Sequence, residues 1–220
     1  MVLMTVFAVI PVKTLLRSKT RLSEVLTSRE RETFTLTMLE DVLKAVSYSQ
    51  SVQQIVVVSS DSRVQGFAND FGVAYLPEKK PGLNQALEQA MSWCIQNKAK
   101  SVLILAADIP LLRPDDVDQI VNLGSEETCI VIAPSRNGGT NGLFQKPPKV
   151  IPPCFGSGSL SRHLTEASKK GIKAKVYDVQ NIMMDIDYPE DLEDLLRIDA
   201  YTASHIFLKQ IGMDTRLRKE

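Results

Sequence analysis

Asp108 is the residue whose setting in this sequence most clearly favours chemistry. It follows Val102-Leu-Ile-Leu-Ala-Ala107, an uninterrupted run of small and apolar residues, and Pro110 comes two positions later. A short apolar run bounded in this way predicts a buried parallel strand rather than a helix. Ligands of open α/β sheets bind beyond the carboxyl ends of the strands. An ionised Asp108 there would meet a hard cation, although an aspartate at such a place also commonly stabilises a turn.

Two further carboxylates, Asp185 and Asp187, lie late in the sequence, just before Pro189. They are two positions apart, and on an extended segment such residues share one face. Both could therefore reach one cation, or one of them could cap the helix that Pro189 is expected to begin. In proteins, Mg²⁺ typically uses one or two carboxylates together with substrate phosphates.

A loop rich in positive charge follows the first predicted strand, Val6–Val12. Its cations are Lys13, Arg17, Lys19 and Arg21. Phosphate groups bind in loops at the carboxyl ends of strands, so this loop is expected to face a nucleoside triphosphate. A solvated basic loop is the alternative interpretation.

Two glycine-rich segments come later, at 136–142 (RNGGTNG) and at 155–159 (FGSGS). Closely spaced glycines expose backbone N–H groups and favour an anion nest, and the second segment also opens a predicted helix. For the first segment a plain hairpin turn is the alternative, because Asn141-Gly142 suits one. His163, one of two histidines, falls a turn into the helix and is interpreted as structural.

Residues that could contact a nucleoside follow the second predicted strand, Ile55–Val58, and begin a later helix. Asp61, after Ser60, is interpreted first as a helix cap and second as a ligand contact. Gly82 would let a ligand approach the backbone closely. Asn84 has donors and an acceptor that could read a base or a ribose edge, unless it is an ordinary first-turn residue.

Predicted strands alternate with predicted helices along the chain. The strands are expected at 6–12, 55–58, 73–76, 102–107, 129–133 and 173–178. A Thr27–Glu30 capping box is expected to begin the first long helix. This βαβ spacing predicts a single three-layer αβα domain over residues 1–220, with a mostly parallel, mixed sheet. Residues 201–220 are a terminal tail that forms either a helix or an arm for a partner.

The composition excludes several classes of protein. The chain has 26 Lys and Arg and 26 Asp and Glu, and zero net charge favours neither nucleic acid nor a membrane surface as partner. No apolar run approaches membrane-spanning length and no signal-type cleavage site is present, which predicts a cytoplasmic protein. Three widely spaced cysteines without a CxxC pair predict neither a zinc site nor a disulfide framework.

Nucleotidyl or phosphoryl transfer is the chemistry that these groups favour together. The sequence shows no evident serine–histidine–acid set and no reactive cysteine with a nearby base. Transfer to phosphorus needs positioning, charge neutralisation and a divalent cation, and the predicted clusters would supply all three. The acceptor would then bring its own nucleophile, such as a phosphate.

Five segments in this order resemble the 2-phospho-L-lactate guanylyltransferase family, which has the nucleotide-diphospho-sugar transferase fold and acts in coenzyme F-420 biosynthesis. They are Ile10-Pro-Val-Lys13 with Ser18-Lys-Thr-Arg-Leu22, Leu105-Ala-Ala-Asp108-Ile-Pro110, Gly138-Gly-Thr-Asn-Gly142, Phe155-Gly-Ser-Gly-Ser159 and Asp187-Tyr-Pro-Glu-Asp191. The resemblance implies that GTP and 2-phospho-L-lactate give lactyl-2-diphospho-5′-guanosine and pyrophosphate. It also suggests a homodimer.

The resemblance implies a role for each matching residue. Asp108 and Asp187 would bind Mg²⁺, with Asp185 as the alternative to Asp187. Lys13, Lys19 and Arg21 would contact the triphosphate and, with Asp108, form the catalytic set. The implied nucleotide-binding residues are Pro11, Val12, Lys13, Ser60, Asp61, Gly82, Asn84 and Ala107. The implied acceptor-binding residues are Thr140, Asn141, Gly156 and Ser159.

Other readings of the same residues remain open at this point. Pro11-Val12-Lys13 replaces the glycine-rich loop that sugar nucleotidyltransferases usually have after the first strand, so side-chain cations must do more of the phosphate binding. The acceptor could instead be phosphoenolpyruvate or 3-phospho-D-glycerate. A cytidylyl-, sugar- or molybdopterin-nucleotidyltransferase is a further alternative. A non-catalytic nucleotide-binding scaffold is the alternative outside enzymes, and the pair of candidate metal-binding carboxylates argues against it.

Overall fold

A seven-stranded sheet forms the centre of the computed structural model, which describes residues 5–217. Its strands are β1 (Val6–Pro11), β2 (Val52–Ser59), β3 (Ala74–Pro77), β4 (Ser101–Leu105), β5 (Cys129–Pro134), β6 (Thr140–Lys146) and β7 (Lys175–Val176). The order across the sheet is β3-β2-β1-β4-β6-β5-β7. β6 runs antiparallel to both of its neighbours, and the other pairings are parallel. The predicted α/β class with a mostly parallel, mixed sheet is confirmed.

Helices cover both faces of the sheet. Within the described residues they are α1 (Ser28–Tyr48), α2 (Ser62–Asp70), α3 (Leu83–Gln96), α4 (Pro114–Leu123), α5 (Ser159–Lys169), α6 (Gln180–Met183), α7 (Pro189–Arg197), α8 (Ala203–Gln210) and α9 (Met213–Leu217). Apolar residues of α1, α2 and α4 form the core on one face, and those of α3 and α5 form the core on the other. No helix in residues 5–217 is both long and apolar enough to cross a membrane.

The central strand β1 shows why the chain needs uninterrupted apolar runs. Ala8 and Ile10 are buried in the core that includes α1, whereas Phe7 and Val9 are buried in the core that includes α3. Alternate residues of a strand point to opposite faces, so a strand covered on both sides must be apolar at every position. The register places Val9 beside Val56 of β2 and Ile104 of β4.

The first long helix starts as predicted. Thr27 Oγ1 accepts the Glu30 N–H at 3.3 Å, and Glu30 Oε2 accepts the Thr27 N–H at 2.9 Å, which is the reciprocal pair of a capping box. Each contact satisfies a backbone donor that has no partner within the helix. The capping box predicted at Thr27 and Glu30 is therefore confirmed.

The C-terminal segment packs against α1. Leu208 of α8 and Met213 of α9 are buried with Phe34 of α1 in a third apolar cluster. Asp41 of α1 accepts the N–H of Ala203 at 2.6 Å and so caps α8. Within the predicted tail, residues 203–210 and 213–217 are helical. The predicted domain and tail also include residues 1–4 and 218–220, which lie outside the described residues.

The predicted loop at 136–142 is wrong in its second half. Residues 140–142 begin β6, where Gly142 pairs with Leu105 of β4 and with Ala133 of β5. A Cβ on Gly142 would lie 3.0 Å from the Ala133 Cβ, so close packing inside the sheet favours glycine there. The connection between β5 and β6 is a short hairpin turn, and pairing on both sides of β6 overrides the weak strand propensity of Asn141 and Gly142.

Candidate active site at the carboxyl ends of the strands

The loops after β1 and β4 leave the sheet side by side, because these strands are parallel neighbours. The loop after β1 forms two 3-10 turns, Leu15–Arg17 and Thr20–Leu22. Asp61 Oδ2 accepts the Leu15 N–H at 2.9 Å, and Ser18 Oγ donates to the Leu15 carbonyl at 2.6 Å. Hydrogen bonds therefore hold the cationic loop in a defined conformation.

Asp108 and Asp187 belong to segments that are distant in sequence and adjacent in space. The N–H of Ile186 donates to the Asp108 carbonyl at 3.0 Å, which joins the two segments directly. The N–H groups of Asp187 and Tyr188 both donate to Asp191 Oδ2 at 2.8 Å. Asp191, in the first turn of α7, thus also fixes the turn that carries Asp187.

Lys19 lies between the two carboxylates. Its Nζ donates to Asp108 Oδ2 at 2.6 Å and to Asp187 Oδ1 at 2.9 Å. The side chain of Lys19 is 6% exposed, whereas those of Asp108 and Asp187 are 31% and 37% exposed. The φ angle of Lys19 is 49°, in the left-handed region that residues other than glycine rarely adopt. The loop therefore carries backbone strain at the residue that aims its ammonium inward.

Two more cations surround Asp187. Arg21 Nη1 donates to Asp187 Oδ2 at 3.3 Å, and its guanidinium lies 4.7 Å from the centre of the Tyr188 ring. Lys13 is exposed in the same loop. Burial by itself raises the pKa of Asp187, but the charges of Lys19, Arg21 and Lys13 outweigh burial, so the pKa of Asp187 lies below its ordinary value.

The pKa values of Lys19 and Asp185 are both raised, through different balances of burial and nearby charges. Burial lowers the pKa of Lys19, but attraction to Asp108 and Asp187 exceeds this effect and raises the pKa. Burial raises the pKa of Asp185, a hydrogen bond from Asn141 Nδ2 at 3.1 Å opposes it, and repulsion by Asp108 and Asp187 adds to the increase. Asp187 is thus the more readily ionised of the two late carboxylates.

The carboxylates of Asp108 and Asp187 fit a divalent cation, because they already converge on one positive centre, the ammonium of Lys19. Between residues 5 and 217 there is no group of three or more His, Cys, Asp or Glu side chains that could hold a metal ion. A cation at this place would need further oxygen ligands from a bound phosphate. That sharing of ligands is usual for Mg²⁺.

A buried polar cluster lies where β6 meets the start of α5. Ser159 Oγ donates to Thr140 Oγ1 at 3.1 Å, and Thr140 Oγ1 lies 3.0 Å from His163 Nδ1. Asn141, next to Thr140, donates a hydrogen bond to the carboxylate of Asp185. The predicted acceptor-binding residues Thr140, Asn141 and Ser159 are therefore together, and Asn141 contacts Asp185, the alternative metal ligand.

Asn84 is engaged by the protein itself. Its Oδ1 accepts the Phe155 N–H at 2.8 Å, and its Nδ2 donates to the Phe155 carbonyl at 3.2 Å. The side chain thus joins α3 to the segment 154–158, and these contacts use one of its two Nδ2 hydrogens and one lone pair of Oδ1. Gly82, with φ of 122°, immediately precedes α3 as its N-cap and is exposed. Gly156, with φ of 116°, is exposed within the segment 154–158.

Asp61 is also used internally. Besides the Leu15 contact, its Oδ1 accepts the Arg63 N–H at 3.0 Å, and Arg63 Nη2 pairs with its Oδ2 at 3.0 Å. The interpretation of Asp61 as the cap of α2 is confirmed, and its carboxylate additionally holds the cationic loop. Of the other predicted nucleotide-binding residues, Pro11 and Ala107 are half-buried, Val12 is buried and Ser60 is exposed.

Asp191 and His163 shape the site, although the sequence pattern assigned neither of them a part in it. A local signal exists for Asp191, because an acidic residue in the first turn after Pro189 is typical of a helix start. For His163 no local signal exists. Its contact with Thr140 joins residues 23 positions apart, and no residue spacing reveals that contact.

The sheet order and the strand-end site define a protein with the nucleotide-diphospho-sugar transferase fold. A crystal structure of a proposed nucleotide-diphospho-sugar transferase from Desulfovibrio desulfuricans G20 matches with a TM-score of 0.80 over 97% of each chain, at 15% identity. At that identity the match supports the fold alone.

Proteins related in sequence identify the family to which the chain belongs within this fold. A phosphoenolpyruvate guanylyltransferase from Rubrobacter xylanophilus is 39% identical over 190 residues, 86% of this chain and 92% of its own. A 2-phospho-L-lactate guanylyltransferase from Methanocaldococcus jannaschii is 37% identical over 207 residues, 94% of this chain and 89% of its own. The chain belongs to the family described as guanylyl transferase CofC like, whose sequence profile matches residues 6–220. The predicted family and the predicted enzyme class, a nucleotidyltransferase, are confirmed.

Proposed function

We propose that this protein transfers GMP from GTP to 2-phospho-L-lactate, giving lactyl-2-diphospho-5′-guanosine and pyrophosphate. The observation that carries the proposal is the convergence of Asp108 and Asp187 on one cation, the Lys19 ammonium, beside a loop with further positive charges. Family membership supports guanylyl as the transferred group. The relative from Methanocaldococcus jannaschii is named for this activity.

The residues around the carboxylates bind the donor. Asp108 and Asp187 would hold Mg²⁺, which would neutralise charge on the triphosphate and on the leaving pyrophosphate. Lys19 then turns from the carboxylates to the phosphates, where Lys13 and Arg21 also contact the triphosphate.

The acceptor supplies the nucleophile. An oxygen of its phosphate attacks the α-phosphorus of GTP and forms the new P–O–P bond. The bond from the α-phosphorus to the oxygen that bridges to the β-phosphorus breaks, and pyrophosphate leaves with that electron pair. An ionised phosphate needs no general base. The acceptor lies beside Thr140, Asn141, Gly156 and Ser159, where the start of β6 meets the start of α5, and the Thr140 hydroxyl is the side-chain donor that contacts it.

The second candidate acceptor is phosphoenolpyruvate, which the name of the Rubrobacter xylanophilus relative favours. In both molecules one carbon carries the phosphate and the carboxylate, and the two differ in whether that carbon is tetrahedral or planar. A hydrogen-bond donor such as the Thr140 hydroxyl recognises an anionic group that both acceptors share. The two acceptors therefore have to be compared directly.

Pyrophosphate release from four nucleoside triphosphates paired with three phospho-acids tests the proposal. The acids are 2-phospho-L-lactate, phosphoenolpyruvate and 3-phospho-D-glycerate. We expect the highest kcat/KM with GTP and 2-phospho-L-lactate, and no release when Mg²⁺ or the phospho-acid is omitted. A higher value with another phospho-acid would change the acceptor and keep guanylyl transfer. A hexose phosphate that outperformed every phospho-acid would overturn the proposal.

A further inference from the structure

His163 is fully buried between the two segments that form the acceptor side of the site. Its Nε2 accepts the N–H of Cys154 at 2.9 Å, and its Nδ1 lies 3.0 Å from Thr140 Oγ1. The edge of the ring meets Phe155, with the two ring centres 4.9 Å apart. One imidazole thus contacts β6 and the segment 154–158 at once.

The contacts of the ring determine where its proton lies. A backbone N–H can only donate, so the nitrogen that accepts from Cys154, Nε2, has no proton. Burial, with a smaller effect from Arg162, lowers the pKa of His163 to about 4, so the ring is neutral near pH 7. The single ring proton is therefore on Nδ1, and Nδ1–H donates to Thr140 Oγ1.

The same reasoning extends to the hydroxyl of Thr140. Its oxygen has two lone pairs, and it accepts one hydrogen bond from His163 and one from Ser159. Its own hydrogen then has to point to a third group. Among residues 5–217 no such partner for Thr140 Oγ1 is found, so this hydrogen is available to a ligand.

We propose that His163 is a positioning residue for the acceptor, which orients the Thr140 hydroxyl as a hydrogen-bond donor to an anionic group. Through Cys154 it also holds the backbone of the segment that carries Gly156. This inference rests on the proposed function, because it takes Thr140 as an acceptor-binding residue. A hydroxyl held as a donor favours a carboxylate or phosphate oxygen over a neutral group that would itself donate.

The tautomer can be measured without any substrate. Long-range ¹H–¹⁵N correlation spectra distinguish the two nitrogens of an imidazole, and this chain has only two histidines. His205→Gln removes the other set of signals and so assigns those of His163. We expect a neutral His163 ring at pH 7 with the proton on Nδ1. A proton on Nε2, or a charged ring, would overturn the inference whatever the enzyme's substrate proves to be.

Kinetics test whether the effect passes through Thr140. His163→Leu should raise the KM for the acceptor about 10- to 100-fold, as expected for loss of an oriented hydrogen bond to a charged group. His163→Asn should restore part of that loss, because the Asn amide places an N–H near the position of Nδ1. The KM for GTP should stay within about twofold in both variants.

A double-mutant cycle with Thr140→Val completes the test. If His163 acts through Thr140, adding His163→Leu to Thr140→Val should change the acceptor KM little further. Independent, additive effects, or an equal rise in both KM values, would reduce His163 to a structural residue. His205→Gln is the matched control, a second buried histidine in α8, and should leave the acceptor KM unchanged. Absence of GMP transfer by the wild type would contradict the proposed function and leave the tautomer result standing.

Discussion

Replacing Lys19 with methionine isolates the part that its charge plays between the carboxylates. Methionine keeps the apolar stem of the lysine and removes the ammonium, which donates to Asp108 at 2.6 Å and to Asp187 at 2.9 Å. The variant leaves two carboxylates facing each other without a cation between them. We therefore expect linked changes in stability, in metal affinity and in turnover.

The loss of stability follows from how far the three groups are buried. Breaking a fully buried ion pair costs about 3–5 kcal/mol, whereas an exposed pair contributes about 0–1 kcal/mol. The Lys19 side chain is 6% exposed, but the carboxylates are 31% and 37% exposed and stay partly hydrated. We expect the free energy of unfolding of Lys19→Met to fall by about 1–3 kcal/mol, between those limits.

Metal binding should change in the opposite direction. Without nucleotide, Lys19→Met should bind a divalent cation roughly tenfold more tightly, a gain of about 1.4 kcal/mol, because no ammonium competes for the same oxygens. Stabilisation of the variant by Mg²⁺ should increase accordingly. Turnover should nevertheless fall about 100-fold or more, since the triphosphate loses one positive contact in the transition state.

Denaturant titrations measure the stability, and electron paramagnetic resonance of Mn²⁺ measures the metal affinity. Lys13→Met is the matched control, because Lys13 is exposed in the same loop and makes no hydrogen bond to either carboxylate in the described structure. The free energy of unfolding of that control should change by less than about 0.5 kcal/mol. If Lys19→Met bound Mn²⁺ no more tightly than the wild type, the placement of the metal between Asp108 and Asp187 would be refuted.

Three other changes probe separate contacts. Asp108→Asn is nearly isosteric and should abolish pyrophosphate release while circular dichroism still shows a folded protein; full turnover would exclude Asp108 as a metal ligand. Asn84→Ala releases the backbone of Phe155, so the acceptor KM should rise about tenfold with the GTP KM nearly constant, and the reverse pattern would assign Asn84 to the nucleoside. The hydrogen bond from Arg216 lowers the pKa of Glu30 from 4.5 to about 2. The stability that Glu30 contributes is therefore present above pH 4.5 and lost as the pH falls toward 2, so the difference in unfolding free energy between wild type and Glu30→Gln should shrink across that window.

Apolar runs predicted most of the sheet, because a strand covered on both faces must be apolar at every position. The exception is β6, whose first residues, Thr140-Asn141-Gly142, have the composition of a turn. Their strand conformation depends on pairing with β4 and β5, which are distant from each other in sequence. No local pattern contains that information: the connection is a hairpin, as the alternative expected, but its turn lies before Thr140 and not at Asn141-Gly142.

The site was predictable to the extent that it follows from topology. The rule that ligands bind at the carboxyl ends of strands located Asp108 and the cationic loop. Pairwise contacts between distant segments were not predictable, and they decide what each side chain does. Lys19 was expected to contact the triphosphate, and in this structure it contacts carboxylates. Asn84 is hydrogen-bonded to Phe155, 71 positions away.

Because β6 lies inside the sheet, some residues on the acceptor side are fixed by the architecture and others are not. Thr140 pairs with Pro134 of β5 and lies two residues before Gly142, which pairs on both sides, so the sheet fixes the backbone that carries Thr140. Gly156, Ser157 and Gly158 face solvent and belong to no ladder. Diversification of substrate range, whether natural or in a mutant library, is therefore expected to succeed at Ser157, whereas the positive φ angles of Gly156 (116°) and Gly158 (68°) favour glycine at those two positions.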